Sequence, residues 1–265
     1  MVPGRVRKFR VDPQPFGLRP GRTAALIAPV DKSVEEVDKV AGGLYTIDRN
    51  RTHLPALGIF AKAPRPGQVK TRFCPPLTPE EAAHLYRTSL FETLARMDHG
   101  TFAPTLFHAD APDWFAAHGR DLPRLPQGEG DLGRRLERGL AYLLKQGAPA
   151  AALIGSDSPD LPLEQVEAAF ALLEKAEVVT IPAADGGYVL IGAREPHPEL
   201  FRDMPWSTPE LLAATRRRAE ELALDYRELP PWEDLDDLAA LRRLIERSPH
   251  SSTARHALVH LAHHL

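Results

Sequence analysis

The sequence predicts an α/β protein, a three-layer α/β/α sandwich of the Rossmann-like type. From Ala56 onward, short apolar runs typical of buried strands alternate with longer segments of helical periodicity, a pattern that indicates βαβ units. Two apolar runs lead into loops dense in charged residues, where open α/β sheets bind their ligands. The chain has 265 residues, 43% of them hydrophobic, which is enough to bury a full core.

The individual elements follow from the same pattern. Thr78-Pro79-Glu80-Glu81 predicts a helix start, since a threonine cap, a proline at the first position and a glutamate at the third form a capping box. Further strands are expected at 103–108, 151–154, 178–182, 188–191 and 226–229. Helices are expected at 78–97, 131–146, 163–175, 209–222 and 235–247.

The chain divides into three predicted regions. Residues 1–53 form an N-terminal extension of unassigned role, with one possible strand at 24–30 and a short helix that Ser33 opens. Residues 54–248 form the main domain, and 249–265 a C-terminal helix. That helix carries four histidines, His256, His260, His263 and His264. A solvated or packed helix face is favoured over a metal site because no cysteine or carboxylate is close in sequence.

Composition excludes several functional classes. The formal net charge of -3 argues against a general nucleic-acid binder, which would carry a basic excess. No apolar run approaches the roughly 20 residues that a membrane-spanning helix needs. A single cysteine, Cys74, is incompatible with an intrachain disulfide and fits a reducing compartment, so a cytoplasmic location is expected.

The loop after the first strand is strongly basic. The segment KAPRPGQVKTR holds Lys62, Arg65, Lys70 and Arg72 without an acidic residue. Arginine can clamp phosphate oxygens with two hydrogen bonds and lysine acts as a point charge, so the loop suits a phosphate-rich ligand. A solvated basic loop is the alternative.

A carboxylate follows a second buried strand. In IGSDSPDLP, Asp157 stands at the strand end, where its oxygens could bind Mg²⁺ or Mn²⁺. The sequence Asp-Ser-Pro-Asp is also a common turn. A metal site gains support when this loop and the basic loop lie at one sheet edge, because phosphate, cation and carboxylate then balance one another's charge.

Two glycine-containing loops complete the set of motifs. QGEGDLGRRL, 127–136, enters a helix at Asp131, and its backbone N–H groups could bond a base or a ribose; a plain loop with a helix cap is the alternative. ADGGYVLIG, 184–192, puts Asp185 before two glycines and a strand, which allows close approach to a ligand or forms a hairpin.

Taken in order over about 57–241, these segments together with MPWSTPELL resemble one family. It is the bacterial GT-A-fold glycosyltransferase-like family, domain of unknown function 2064, which includes arsenosugar biosynthesis glycosyltransferases. The resemblance implies a nucleotide-diphospho-sugar transferase fold that works with Mg²⁺ or Mn²⁺. It implies phosphate contacts from Lys62, Lys70 and Arg72; nucleoside contacts from Gln127, Asp131 and Arg134; metal binding by Asp157; and a sugar or acceptor wall of Asp185, Tyr188 and Trp206.

The chain departs from the family near its end. The family element Asp-Val-Asp-Thr-Pro-Glu-Asp-Leu is replaced by PWEDLDDLAAL, so Glu233, Asp234 or Asp236 could supply the second metal ligand; Asp234 is chosen. An acidic first helical turn is the alternative.

The predicted function is therefore a metal-dependent transferase that uses a nucleotide sugar and a small-molecule acceptor, with Asp185 as the candidate base. The first alternative is a nucleotidyltransferase that joins a nucleotide to a phosphorylated small molecule and releases pyrophosphate. The second is a binding or scaffold protein without turnover. One fold hosts many chemistries, so the fold does not choose among them.

Overall fold

The computed structural model describes residues 53–265. The strand expected at 24–30, the helix opened by Ser33 and all but the last residue of the predicted extension 1–53 lie outside the described residues. Among the helices of 53–265, none combines the length and the apolar character that crossing a bilayer would require.

A seven-stranded sheet forms the middle layer, in the order β3-β2-β1-β4-β6-β5-β7. Strands β1 to β4 are mutually parallel, so their carboxyl ends meet at one edge of the sheet. The strands are β1 Ala56–Ala61, β2 Ala103–His108, β3 Arg124–Pro126, β4 Ala151–Gly155, β5 Val178–Pro182, β6 Tyr188–Ala193 and β7 Tyr226–Glu228.

Strand β6 runs against the βαβ pattern. It is antiparallel to both of its neighbours, β4 and β5. The connection from β5 is too short for the crossover that a parallel pair requires, so the chain turns back as a hairpin. The first residues of β6 therefore lie at the same sheet edge as the last residues of β4.

Seven helices cover the sheet within the described part of the chain. They are α1 Pro79–Met97, α2 Pro112–His118, α3 Leu132–Lys145, α4 Leu163–Leu173, α5 Leu211–Glu221, α6 Leu238–Arg247 and α7 Ser252–His260. The predicted capping box of α1 is confirmed: Thr78 Oγ1 accepts from the Glu81 backbone N–H at 3.2 Å, and the Thr78 N–H donates to Glu81 Oε2 at 2.8 Å.

The alternation of side chains along β1 explains the three layers. Leu57 and Ile59 face one side and pack with buried residues of α1, α2 and α4. Ala56 and Phe60 face the other side and pack with α3 and α5 residues. A third cluster lies behind α1, where Leu85 meets residues of α6 and α7. The predicted three-layer sandwich is confirmed.

Two short elements were not predicted. Strand β3 has only three residues, one of them Pro126, which suits an edge strand and gives no alternating pattern. Helix α2 has seven residues and no side-chain cap, and it follows Ala111 in the left-handed region at φ 46°. Neither carries the periodic signal on which sequence reasoning depends.

Asp160, the second aspartate of the Ser-Asp-Ser-Pro-Asp turn, is buried away from the sheet edge. Its side chain is 1% exposed and is paired with Arg247, whose Nε donates to Asp160 Oδ2 at 2.7 Å. Ser248 Oγ and Trp232 Nε1 also donate to this carboxylate, at 2.9 and 3.3 Å. Asp160 therefore anchors the C-terminal end of α6 to the loop after β4.

Replacing Arg247 by Ala should destabilise the fold. The buried Asp160 carboxylate would lose its counter-ion, and a broken buried pair costs about 3–5 kcal/mol of unfolding free energy. Urea denaturation measures the effect. Arg243→Ala is the matched control, because Arg243 is exposed and pairs with Glu233 instead of the buried Asp160. Equal losses in both variants would contradict the anchoring role of Asp160.

Candidate functional site

One cavity of about 800 Å³ opens at the sheet edge where β1 and β4 end and β6 begins. Its volume lies within the range of small-molecule and cofactor sites. Nine of the twelve predicted site residues line it: Lys62, Lys70, Arg72, Gln127, Asp157, Asp185, Tyr188, Trp206 and Asp234. Arg65, Asp131 and Arg134 do not.

Lys70 lies at the centre of the charged part of the cavity. Its backbone is left-handed, with φ 50°, and its side chain is 4% exposed. The ammonium donates to the Leu235 carbonyl and lies 2.6 Å from Asp157 Oδ1 and 3.8 Å from Asp236 Oδ1. The basic loop is therefore tied directly to the carboxylates that the sequence assigned to metal binding.

Three carboxylates converge around this lysine. Asp157 comes from the loop after β4, whereas Asp234 and Asp236 come from the segment before α6; the Leu235 N–H joins the two by donating to the Asp157 carbonyl at 2.7 Å. Burial and the negative charge of Asp157 raise the pKa of Asp234 to about 7. Burial likewise raises the pKa of Asp236, although Lys70 opposes that shift. The cluster holds more negative charge than Lys70 neutralises.

Glu233 is separated from this cluster. Its carboxylate accepts from Arg243 Nε at 2.6 Å and from Arg247 Nη1 at 2.8 Å, and the residue does not line the cavity. Asp234 instead accepts from Ser158 Oγ at 2.5 Å. Of the three acidic residues considered for a second metal ligand, Asp234 and Asp236 are thus the two that the fold brings to Asp157.

The donor set fits a divalent cation. Carboxylate oxygens are the ligands that Mg²⁺ and Mn²⁺ prefer. Three carboxylates against the Lys70 ammonium and the Arg72 guanidinium leave a net negative site, and burial together with the charge of Asp157 raises the pKa of Asp234.

The remaining cations of the basic loop separate into two sets. Lys62 and Arg72 line the cavity, and Arg72 Nη1 donates to Asp236 Oδ2 at 2.9 Å. Arg65 turns outward and lies 3.8 Å from Asp110. Tyr86 supports the loop from below, since its hydroxyl accepts from the Lys62 N–H at 3.1 Å and bonds Ser156 Oγ at 2.7 Å.

Of the three residues predicted in the glycine-rich loop and the start of α3, only Gln127 lines the cavity. Asp131 caps α3, accepting from the Arg134 N–H at 2.8 Å, and the Arg134 side chain is exposed. Gln127 is buried, donates from Nε2 to the Phe107 carbonyl at 3.0 Å, and accepts from Arg135 Nη1 at 3.2 Å. Arg135 lines the cavity and was missed, although its spacing from Leu132 places both on one helix face.

The Asp-Gly-Gly segment is a hairpin turn that also forms a cavity wall. Asp185 is exposed, and its Oδ1 accepts from the Gly187 N–H at 3.0 Å. Gly186 has φ +90°, and a Cβ there would lie 2.1 Å from the Pro209 carbonyl oxygen. Only glycine permits this close approach, which brings the segment carrying Trp206 beside Tyr188.

Replacing Lys70 by Met should reduce the free energy of unfolding by roughly 1–3 kcal/mol at pH 8, because the carboxylates would lose their buried counter-ion while Asp157 stays partly hydrated. The loss should shrink at pH 5. Folding raises the pKa of Asp234 to about 7. Such a carboxyl destabilises the folded state as the pH rises from its pKa in the unfolded chain to its pKa in the folded chain, so the loss of the Lys70 charge matters less at pH 5 than at pH 8.

Chemical denaturation at both pH values measures this effect. Lys62→Met is the matched control, since Lys62 belongs to the same loop but is exposed. A loss for Lys70→Met that is the same at pH 5 and pH 8 would show that the carboxylates do not depend on this ammonium.

Comparison with known proteins agrees with the motifs and the fold. A sequence profile described as "Uncharacterized protein conserved in bacteria (DUF2064)" matches residues 93–208. The crystal structure of a "putative nucleotide-diphospho-sugar transferase from Desulfovibrio desulfuricans G20" has a TM-score of 0.73 and 28% identity, covering 78% of this chain and 95% of that chain. No curated protein sequence matches the chain.

A more distant structure shows the same fold. CMP:2-keto-3-deoxy-manno-octonic acid synthetase complexed with CTP has a TM-score of 0.50 and 13% identity, covering 74% of this chain and 98% of that chain. The family resemblance drawn from the ordered motifs is thereby confirmed: residues 93–208 match the DUF2064 profile, and the chain has the nucleotide-diphospho-sugar transferase fold.

Proposed function

We propose that this protein is a divalent-metal-dependent transferase that uses a nucleotide-sugar donor and a small-molecule acceptor. The observation that carries the proposal is the meeting of a basic loop and a three-carboxylate cluster in one cavity of about 800 Å³ at the carboxyl edge of the sheet. The single Cys74 is in keeping with a cytoplasmic location.

The diphosphate of the donor would bind between the basic loop and the acidic cluster. Lys62 and Arg72 are exposed and line the cavity, where both would reach phosphate oxygens, Arg72 beside its ion pair with Asp236. Lys70 would face the same group from its buried position. The nucleoside would lie toward Gln127 and Arg135, while Asp131 and Arg134 rest on the family resemblance alone.

Asp157, with Asp234 or Asp236, would hold Mg²⁺ or Mn²⁺. When bound, such a cation would neutralise negative charge on the diphosphate leaving group. Lys70 already sets one positive charge beside these carboxylates, because it contacts Asp157 and Asp236. Lys70 therefore keeps the carboxylates together and would share their charge with the incoming ligand.

The acceptor would bind against the hairpin wall. Asp185 is exposed there and near enough to raise the pKa of Asp236 by its charge. Its free carboxylate oxygen could orient or deprotonate an acceptor hydroxyl. The half-buried rings of Tyr188 and Trp206 would contact the transferred group or the acceptor.

Replacing Asp157 by Asn should abolish the effect of Mn²⁺ on nucleoside diphosphate affinity. The amide keeps the shape of the carboxylate but loses its charge, and the residue is too exposed to support the core. Calorimetry with UDP, GDP, ADP and CDP, with and without Mn²⁺, measures the effect.

Asp113→Asn, a change to an exposed carboxylate outside the cavity, is the matched control. Mn²⁺ dependence that survives in Asp157→Asn would move the cation elsewhere. Parallel Asp234→Asn and Asp236→Asn variants show which of the two shares the cation with Asp157.

The reaction products separate glycosyl from nucleotidyl transfer. Wild-type protein should slowly release nucleoside diphosphate from its preferred nucleotide sugar without an acceptor, since water can occupy the acceptor position. Asp185→Asn should lower this turnover by roughly 10²–10⁴ if Asp185 acts as the base, with nucleotide affinity nearly unchanged.

Liquid chromatography of the products gives the answer. The shared fold with a CTP-bound synthetase makes pyrophosphate release from a nucleoside triphosphate the competing outcome, and it would establish the nucleotidyltransferase alternative. Absence of both activities over a broad donor panel would favour a binding protein.

A further inference from the structure

A second group of potential ligands lies outside the cavity, where helix α1 begins. Glu81 in the first turn of α1 meets His263 and His264 from the 3₁₀ turn Ala262–His264. None of the three lines the cavity. No carboxylate lies near these histidines in the sequence, but the fold brings Glu81 to them from a distant part of the chain.

The two histidine contacts run to different oxygens of Glu81 and are longer than close hydrogen bonds, the His264 contact being a long hydrogen bond. His263 Nε2 lies 3.6 Å from Glu81 Oε1, and His264 Nε2 lies 3.4 Å from Glu81 Oε2. An N–H···O bond is normally about 2.7–3.2 Å long. A tetrahedral ion with ligand bonds of about 2.0–2.1 Å has edges of about 3.3–3.4 Å between its ligand atoms.

The two oxygens of Glu81 have different partners. Oε2 accepts from the Thr78 N–H and from Thr78 Oγ1, at 2.8 and 3.0 Å, and so completes the helix cap. Oε1 faces His263 and takes no part in the cap. The hydrogen bond from the Thr78 backbone keeps the pKa of Glu81 below its usual value.

The histidine side is held in place by packing. Leu261 and Leu265, which flank the 3₁₀ turn, pack in the third hydrophobic cluster with Leu85 of α1. Arg242 Nη2 donates to the Leu265 carbonyl at 3.0 Å. His264 is only 16% exposed, whereas His263 is 63% exposed. The ligand atoms of the three residues all lie within 4.8 Å of one another.

We propose that Glu81, His263 and His264 form a binding site for a transition-metal cation, with Zn²⁺ the best match. Two imidazoles and one carboxylate are a common zinc ligand set and leave one position for water. A bound cation would fasten the last turn of the chain to the start of α1. The basic loop leads into α1, so the site would stabilise the start of the helix that follows this loop.

Calorimetry of the metal-stripped full chain with Zn²⁺ tests the proposal. One site per chain should be weakened at least about tenfold in His263→Ala and in His264→Ala, because loss of a direct ligand costs no less than loss of a residue that supports a ligand. Glu81→Gln should weaken it as well. Glutamine also completes a capping box, so the melting temperature without metal should stay close to that of wild type.

Two controls separate this site from other imidazoles. His250→Ala removes an exposed histidine, and His256→Ala breaks the His256–His260 pair, whose rings are 4.7 Å apart. Both should retain wild-type zinc affinity. Substitution with Co²⁺ should give the intense visible absorption of a tetrahedral ion, which His264→Ala should lose.

Zinc affinity that is unchanged in His263→Ala and His264→Ala would overturn the proposal, as would loss of the site in His256→Ala. Nucleotide affinity measured with Mn²⁺ should be the same in Glu81→Gln as in wild type, because the donor cavity uses none of these ligands. The result for zinc therefore stands apart from the result for the transferase.

Discussion

The candidate site depends on one buried ammonium group. Lys70 joins three stretches of chain that are far apart in sequence: the loop after β1, the loop after β4 and the segment before α6. Without that charge, Asp157, Asp234 and Asp236 would repel one another at the edge of the sheet. The left-handed backbone of Lys70 turns its side chain toward the carboxylates, so local conformation and long-range electrostatics meet at one residue.

The surrounding fold holds this cluster from both sides. Below it, the Tyr86 hydroxyl joins the ends of β1 and β4. Behind it, the buried Asp160–Arg247 pair fixes the acidic segment, since Arg247 also contacts Glu233. Neighbouring aspartates in one motif thus serve different purposes: Asp157 faces the cavity, whereas Asp160 anchors a helix.

Strands and helices with a strong period were predictable, and so was the gathering of Lys70 and Asp157 at one sheet edge, because parallel strands end together. Arg135 was not predicted, and Asp236 and the hairpin that reverses β6 were named only as alternatives. Which of Arg134 and Arg135 faces the cavity depends on the angle at which α3 leaves its capped turn. The partners of Glu233 and Asp236 depend on how α6 packs, and Glu81 meets His263 only through tertiary packing across nearly the whole described chain.

The hairpin that leads into the reversed strand β6 combines an exposed position with an enclosed one. Asp185 is exposed, so a change of its side chain would leave the packing of the sheet undisturbed. Its neighbour Gly186 is enclosed by Pro209, and its carbonyl accepts from the Leu212 N–H at 2.8 Å. Single substitutions at the hairpin tip can therefore change the chemistry of this cavity wall, while the length and path of the loop are kept.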